Sequence, residues 1–167
     1  SGDSILHQYF TDGVNYHAGG GNDTIKSGYG KDVILGGEGN DAIYSSSDND
    51  IITGGLGDDY LDGGYGDDTY IYNLGDGNDV IDDNRGIDTL VFGEGITPDS
   101  ISLHADTANL IVTLADSSSI TINNWYTSNY SDRNQTRIES FNFADGTVWT
   151  SADIIQHVSA VIGTESG

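Results

Sequence analysis

Large apolar residues recur at every ninth position through the first half of the chain, at Ile25, Ile34, Ile43, Ile52, Leu61 and Tyr70. Asp stands two residues ahead of each, at Asp23, Asp32, Asp41, Asp50, Asp59 and Asp68. Glycine lies two before the Asp at Gly21, Gly30, Gly39, Gly57 and Gly66, and four before it at Gly19, Gly28, Gly37, Gly55 and Gly64. Each unit therefore reads Gly-Gly-x-Gly-(Asn/Asp)-Asp-x-U-x, with U a large apolar residue. The last three residues of a unit predict a strand just long enough to send one side chain inward, and the glycines predict a tight turn before it.

One such unit cannot bury its apolar residue alone, so its stability must come from stacked neighbours, as in other solenoids. One coil then needs two units. The turns of the units starting at Ala18, Gly36 and Gly54 are expected on one edge, and those starting at Ser27, Ser45 and Gly63 on the other. The spacing resumes after an insertion: residues 74–82 place Gly75, Gly77, Asp79 and Ile81, and residues 83–91 place Asp88 and Leu90. Residues 1–17 read as an N-terminal cap or decayed repeat, with Tyr16 in the first core position and Val14 where Asp would stand.

From Phe92 glycine thins out and a two-residue alternation takes over, at Ile101 and Leu103, at Leu110, Val112 and Leu114, and at Ile120 and Ile122. Asp145-Gly146 between Phe143 and Val148 is a hairpin signal, and Thr150 with Asp153 resembles a capping box that opens a short helix through about Val158. Pro98 after Thr97 predicts a helical first turn ahead of the next strand. The expected domains are 1–17, a roll over 18–91 and a β-rich capping domain over 92–167. Residues 126–135 read as a loop; Trp125 just before it, with Tyr126 and Tyr130, could stack on a sugar or peptide, although Trp125 in the core is the favoured expectation.

Charge turns the pattern into chemistry. The formal net charge is -22, and all but four of the 27 acidic residues are Asp, many of them phased with the repeat. Stacking would align like charges at a strand spacing of about 4.8 Å, where they repel unless a cation lies between them. Glycine turns direct backbone carbonyls into one concavity. With one carboxylate per turn, this oxygen-only set suits Ca²⁺, which accepts six to eight oxygens in flexible geometry, better than the strict octahedron of Mg²⁺. There is no Cys to favour a softer metal or to form disulfides. Only Lys26, Lys31, Arg85, Arg133 and Arg137 are basic, so nucleic acid and anionic membrane surfaces are not expected partners. No signal peptide or apolar run long enough to insert in a bilayer is read. Low apolar content and self-repulsion predict a repeat region that is disordered without calcium.

The block 18–91 resembles the RTX (repeats-in-toxin) nonapeptide family. The resemblance implies an all-β fold: a right-handed parallel β-roll, a calcium-loaded solenoid, capped here by a small antiparallel β element with a short helix. It implies metal ligation by the turn carbonyls and by Asp23, Asp32, Asp41, Asp59, Asp68, Asp79 and Asp88, with roughly five to seven Ca²⁺ per chain. Ser45-Ser46-Ser47-Asp48-Asn49-Asp50 departs from the pattern, which makes Asp50 the weakest expected site. Residues 89–155, with Asn109-Leu110-Ile111-Val112 and Phe141-Asn142-Phe143-Ala144-Asp145-Gly146-Thr147, look like the haemolysin-type calcium-binding-related domain that often follows such repeats.

This pairing implies export by a type I secretion apparatus, secretion or display at the bacterial surface, and a non-enzymatic module of a larger protein such as an adhesin. The alternatives are the export module of an RTX enzyme or toxin, and a domain that binds a glycan or cell-surface ligand through the Trp125 loop. No His-Glu-x-x-His or Gly-x-Ser-x-Gly motif occurs, and His7, His17, His104 and His157 lack ligand-like spacing. The third and fifth repeat positions carry no regular rank of small residues of the kind that ice binding would need.

Overall fold

The apolar triplets that close the nonapeptides are strands, and they alternate between two sheets. The computed structural model describes residues 2, 4–6, 12–125 and 138–162. One sheet contains β1 (Ser4–Leu6), β3 (Thr24–Lys26), β5 (Ala42–Tyr44), β7 (Tyr60–Asp62) and β9 (Asn78–Ile81). The facing sheet contains β2 (Asn15–Gly20), β4 (Val33–Glu38), β6 (Ile51–Leu56), β8 (Thr69–Tyr72) and β10 (Asp88–Phe92). All neighbours among these strands are parallel, so the chain coils and every second unit returns to the same sheet.

Register follows the apolar position. Ile25 lies beside Ile43, Leu61 and then Ile81; Tyr16 lies beside Ile34, Ile52, Tyr70 and then Leu90. Contacts between equivalent turns span 18 residues in the early coils and 20 across the insertion near residue 74. Both stacks are buried, and they form one continuous core with the apolar residues of the C-terminal region. This is why a three-residue strand suffices: each contributes one side chain to a column that only the coil above and the coil below can complete.

The two sheets run past residue 92 without a break. β13 (Ser119–Ile122) pairs with β9 in parallel, placing Ile122 on Ile81, and β14 (Ile138–Asn142) pairs with β10 in parallel, placing Phe141 on Leu90. Outside these two strands the sheets continue antiparallel, through β12 (Leu110–Leu114) and then β11 (Ile101–Ala105) on one and β15 (Val148–Thr150) on the other, β11 and β12 preceding β13 in the chain. The expected antiparallel element is therefore joined to the roll by backbone ladders as well as by packing.

Its local signals hold. The hairpin at Asp145-Gly146 has Gly146 at φ 89°, and the Ser100 hydroxyl accepts from Thr97 N–H at 2.8 Å around the short helical turn at Pro98. The Asp153 carboxylate caps the helix start by accepting from Thr150 N–H at 2.9 Å. That helix, α1 (Ser151–Ile162), runs a turn past the expected end at Val158. Among the described residues no helix is long and apolar enough to cross a membrane.

Gly37 and Ser46 occupy equivalent places in their units, and opposite substitutions there test the backbone. Gly37 has φ 122°, and a Cβ on it would meet the Gly19 carbonyl oxygen of the preceding coil at 1.9 Å. Gly37→Ala should cost about 2 kcal/mol or more in calcium-saturated unfolding. Ser46 holds φ 79° without being glycine, and Ser46→Gly should gain about 1 kcal/mol. A destabilised Ser46→Gly would show that the serine side chain outweighs the strain.

Candidate metal centres at the two edges of the roll

The turns of the units from residue 18 to residue 82 are shaped by left-handed residues at their second and fourth positions. Every glycine predicted there, Gly19, Gly21, Gly28, Gly30, Gly37, Gly39, Gly55, Gly57, Gly64, Gly66, Gly75 and Gly77, has positive φ. The unit without glycines keeps the same path, because Ser46 and Asp48 both sit at φ 79°. Stacking neighbours impose that conformation against a local cost of about 1–2 kcal/mol per residue.

The conserved geometry aligns the sixth-position Asp residues in one ladder per edge, as the two-unit coil predicts. On the first edge, Asp23 N–H donates to Asp41 Oδ1 at 2.8 Å, Asp41 N–H to Asp59 Oδ1 at 2.7 Å, and Asp59 N–H to Asp79 Oδ1 at 3.0 Å. On the second, Val14 N–H donates to Asp32 Oδ1, Asp32 N–H to Asp50 Oδ1, Asp50 N–H to Asp68 Oδ1 and Asp68 N–H to Asp88 Oδ1, all at 2.7–2.8 Å. Each carboxylate thus uses one oxygen to hold the coil before it. Fifth-position side chains work in the opposite direction: Asn22 Oδ1 accepts from Asn40 N–H at 3.0 Å, and Asn40 Oδ1 from Asp58 N–H at 3.1 Å.

The second oxygen is the informative one. Oδ2 of Asp32, Asp41, Asp50, Asp59 and Asp68 is buried and accepts no hydrogen bond. Buried polar atoms are nearly always paired, and a buried, unpaired carboxylate is among the costliest groups a fold can carry. First-position residues make room for it. A Cβ on Gly36, Gly54 or Gly63 would lie 2.3, 2.2 or 2.4 Å from Oδ2 of Asp41, Asp59 or Asp68. Where this position is Ser27 or Ser45, the hydroxyl instead donates to the carbonyl of the next coil, at 3.0 and 2.8 Å.

Burial also raises the proton affinity of Asp50, Asp59, Asp68, Asp79 and Asp88. Desolvation, opposed by the backbone hydrogen bond from the previous coil and reinforced by neighbouring Asp charges, pushes Asp59 and Asp68 up to about 6, Asp50 up to about 7 and Asp79 up to about 8. Asp88 also rises to about 8, through desolvation first and then the charge of Asp83. Rows of buried, mutually repelling carboxylates with unpaired oxygens, flanked by left-handed turns, fit a hard divalent cation. Bound Ca²⁺ would supply the positive charge that these oxygens lack. Asp50 lies in its ladder just as its neighbours do, so the missing glycines leave the carboxylate placement intact.

Two acidic residues at the second edge were not picked out from the sequence. Glu139 Oε2 accepts from Asp88 N–H at 2.7 Å, continuing the second edge into the C-terminal region, and no nonapeptide signal marks it. Asp83 is buried beside Asp68 and Asp88, and its signal was legible as an Asp at the first position of residues 83–91. Trp125 is 1% exposed and belongs to the core, as the favoured expectation had it, so it offers no open ring face to a sugar. Tyr126 and Tyr130 lie outside the described residues.

Fold and ladders together define a calcium-binding β-solenoid. Residues 17–52 and 44–76 match the family model of the RTX calcium-binding nonapeptide repeat, and residues 109–153 match that of the haemolysin-type calcium binding protein related domain. The chain is an RTX β-roll continued by a haemolysin-type related domain. No curated protein was found to match it.

The raised carboxyls give pH dependence a definite sign. In the metal-free folded state these Asp residues hold protons that the unfolded chain, with carboxyls near 3.8, has released. The metal-free roll therefore gains stability as pH falls from about 8 toward 3.8 and loses it as pH rises through that window. In calcium-depleted buffer, circular dichroism should report more β structure at pH 5 than at pH 8. The calcium midpoint should shift the other way, because protons and cations compete for the same oxygens. A metal-free chain equally disordered at both pH values would count against this electrostatic account.

Proposed function

We propose that the chain is a calcium-dependent folding module of a larger bacterial RTX protein, an adhesin in our reading, exported by a type I system and folded outside the cell. The observation that carries it is the set of buried, unpartnered Asp oxygens in two stacked ladders. With a net charge of -22 and buried carboxylates along both edges, the roll has little reason to hold together until cations arrive. Extracellular calcium modules bind with dissociation constants of about 10⁻⁴–10⁻³ M, far above cytosolic calcium. The chain would therefore stay threadable inside and fold on emergence, and binding to the native state alone makes export directional.

Calcium should convert the repeat region from disorder to β structure, with roughly five to seven ions per chain, and Mg²⁺ at equal concentration should do much less. Circular dichroism with calcium titration and excess chelator tests this. A complete β spectrum in excess chelator at neutral pH and low ionic strength would sink the proposal. Within the roll, Asp50→Asn should raise the calcium midpoint about as much as Asp59→Asn, since both carboxylates are buried in their ladders with Oδ2 unpaired. An unchanged midpoint for Asp50→Asn would show that the glycine-free turn does not bind.

A further inference from the structure

First positions along the second edge are Ser27, Ser45, Gly63 and Asp83. Three of these are small residues that leave space beside the sixth-position carboxylate. The fourth fills that space with another carboxylate, almost fully buried at 2% exposure. Asp68, Asp83 and Asp88 each present an oxygen within 4.8 Å of the others.

Several features indicate that this is a constructed site. Asp68 is 1% exposed and its Oδ2 accepts no hydrogen bond, in contrast to a settled acidic cluster that shares protons or donors. That oxygen points into the cluster: the place a Cβ on Gly63 would occupy is 2.4 Å from Asp68 Oδ2 and 2.8 Å from Asp83 Oδ2. The absent side chain of Gly63 is therefore what lets the two carboxylates converge. Asp83 is also held in place. Its Oδ2 accepts from the Tyr70 hydroxyl at 2.5 Å, and that phenol accepts from Gly63 N–H at 2.8 Å. Its Oδ1 accepts from Arg85 N–H at 3.2 Å. The guanidinium of Arg85 does not neutralise the cluster, since it lies over the Tyr65 ring, 5.7 Å from the centroid.

We propose that Asp68, Asp83 and Asp88 form a single three-carboxylate cation site, which binds Ca²⁺ more tightly than the turns that offer only their ladder Asp residues and also accepts a trivalent lanthanide. The proposal rests on the calcium-binding reading of the roll and goes beyond it by giving one site a different ligand set. Affinity in oxygen-ligand sites rises with the number of charged ligands and with their rigidity. Here the Asp83 carboxylate adds charge, and Tyr70 orients it through a buried hydrogen bond, as the outer partners of metal ligands do.

Tb³⁺ is a suitable probe, because the Tyr70 ring lies close enough to sensitise its emission. Tyrosine-excited Tb³⁺ titration and Ca²⁺ calorimetry of the whole chain should show one class tighter than the rest. Asp83→Asn, which keeps the side-chain volume, should weaken that class by about tenfold or more while the weaker ions persist. Asp99→Asn, an equal charge change at an exposed position, should leave it unaltered. If Asp83→Asn fails to fold in saturating calcium, Asp83→Ser supplies the comparison, since serine already stands at this place in two earlier turns. An unchanged tight class in the folded variant would overturn the proposal and leave Asp83 as an acceptor for Tyr70 alone. Equal weakening by Asp99→Asn would overturn it in favour of general charge. A wild-type chain that binds neither ion would overturn the calcium reading of the roll itself.

Discussion

Buried like charge is the constraint on which this protein depends. Two ladders of Asp run along the edges of the roll, and each carboxylate does two jobs. One oxygen accepts the backbone N–H of the preceding coil and so contributes to the stack directly. The other, where it is buried without a donor, raises the energy of the metal-free state. The same residue therefore both ties coil to coil and makes the metal-free stack costly. The apolar columns beside these carboxylates are only one side chain wide per strand.

That narrowness explains the architecture on either side of the carboxylates. A three-residue strand buries little, so each coil depends on the next, and a stack needs closing at its ends. At the C-terminal end the closure is built from the chain itself. β13 and β14 add one more parallel strand to each sheet, with β12, β11 and β15 antiparallel outside them, and larger aromatic residues such as Phe92, Phe141, Phe143 and Trp149 pack where the nonapeptides supplied Ile and Leu. Glu139 carries the Asp ladder across this junction. The haemolysin-type related domain thus shares hydrogen bonds, core and charge pattern with the repeats it follows.

The repeat, the two-unit coil, the assignment of turns to edges, the insertion near residue 74 and the hairpin at Asp145-Gly146 were all legible in the sequence. They depend on local rules: a fixed period sets which residues stack, glycine permits the left-handed turn, and alternation marks the strands. The tertiary structure decided what depends on neighbours distant in the chain. Ser46 and Asp48 adopt the glycine conformation because the coils on both sides impose it, which the propensity of Ser and Asp alone does not predict. Trp125 was expected in the core, and the docking of β13 on β9 just before it supplies the place. Glu139 joins a ladder because a parallel pairing with β10 brings it there from 51 residues away. The convergence of Asp83 with Asp68 and Asp88 required the coil itself, which sets a first-position side chain of one turn against the missing side chain of Gly63 in the turn before.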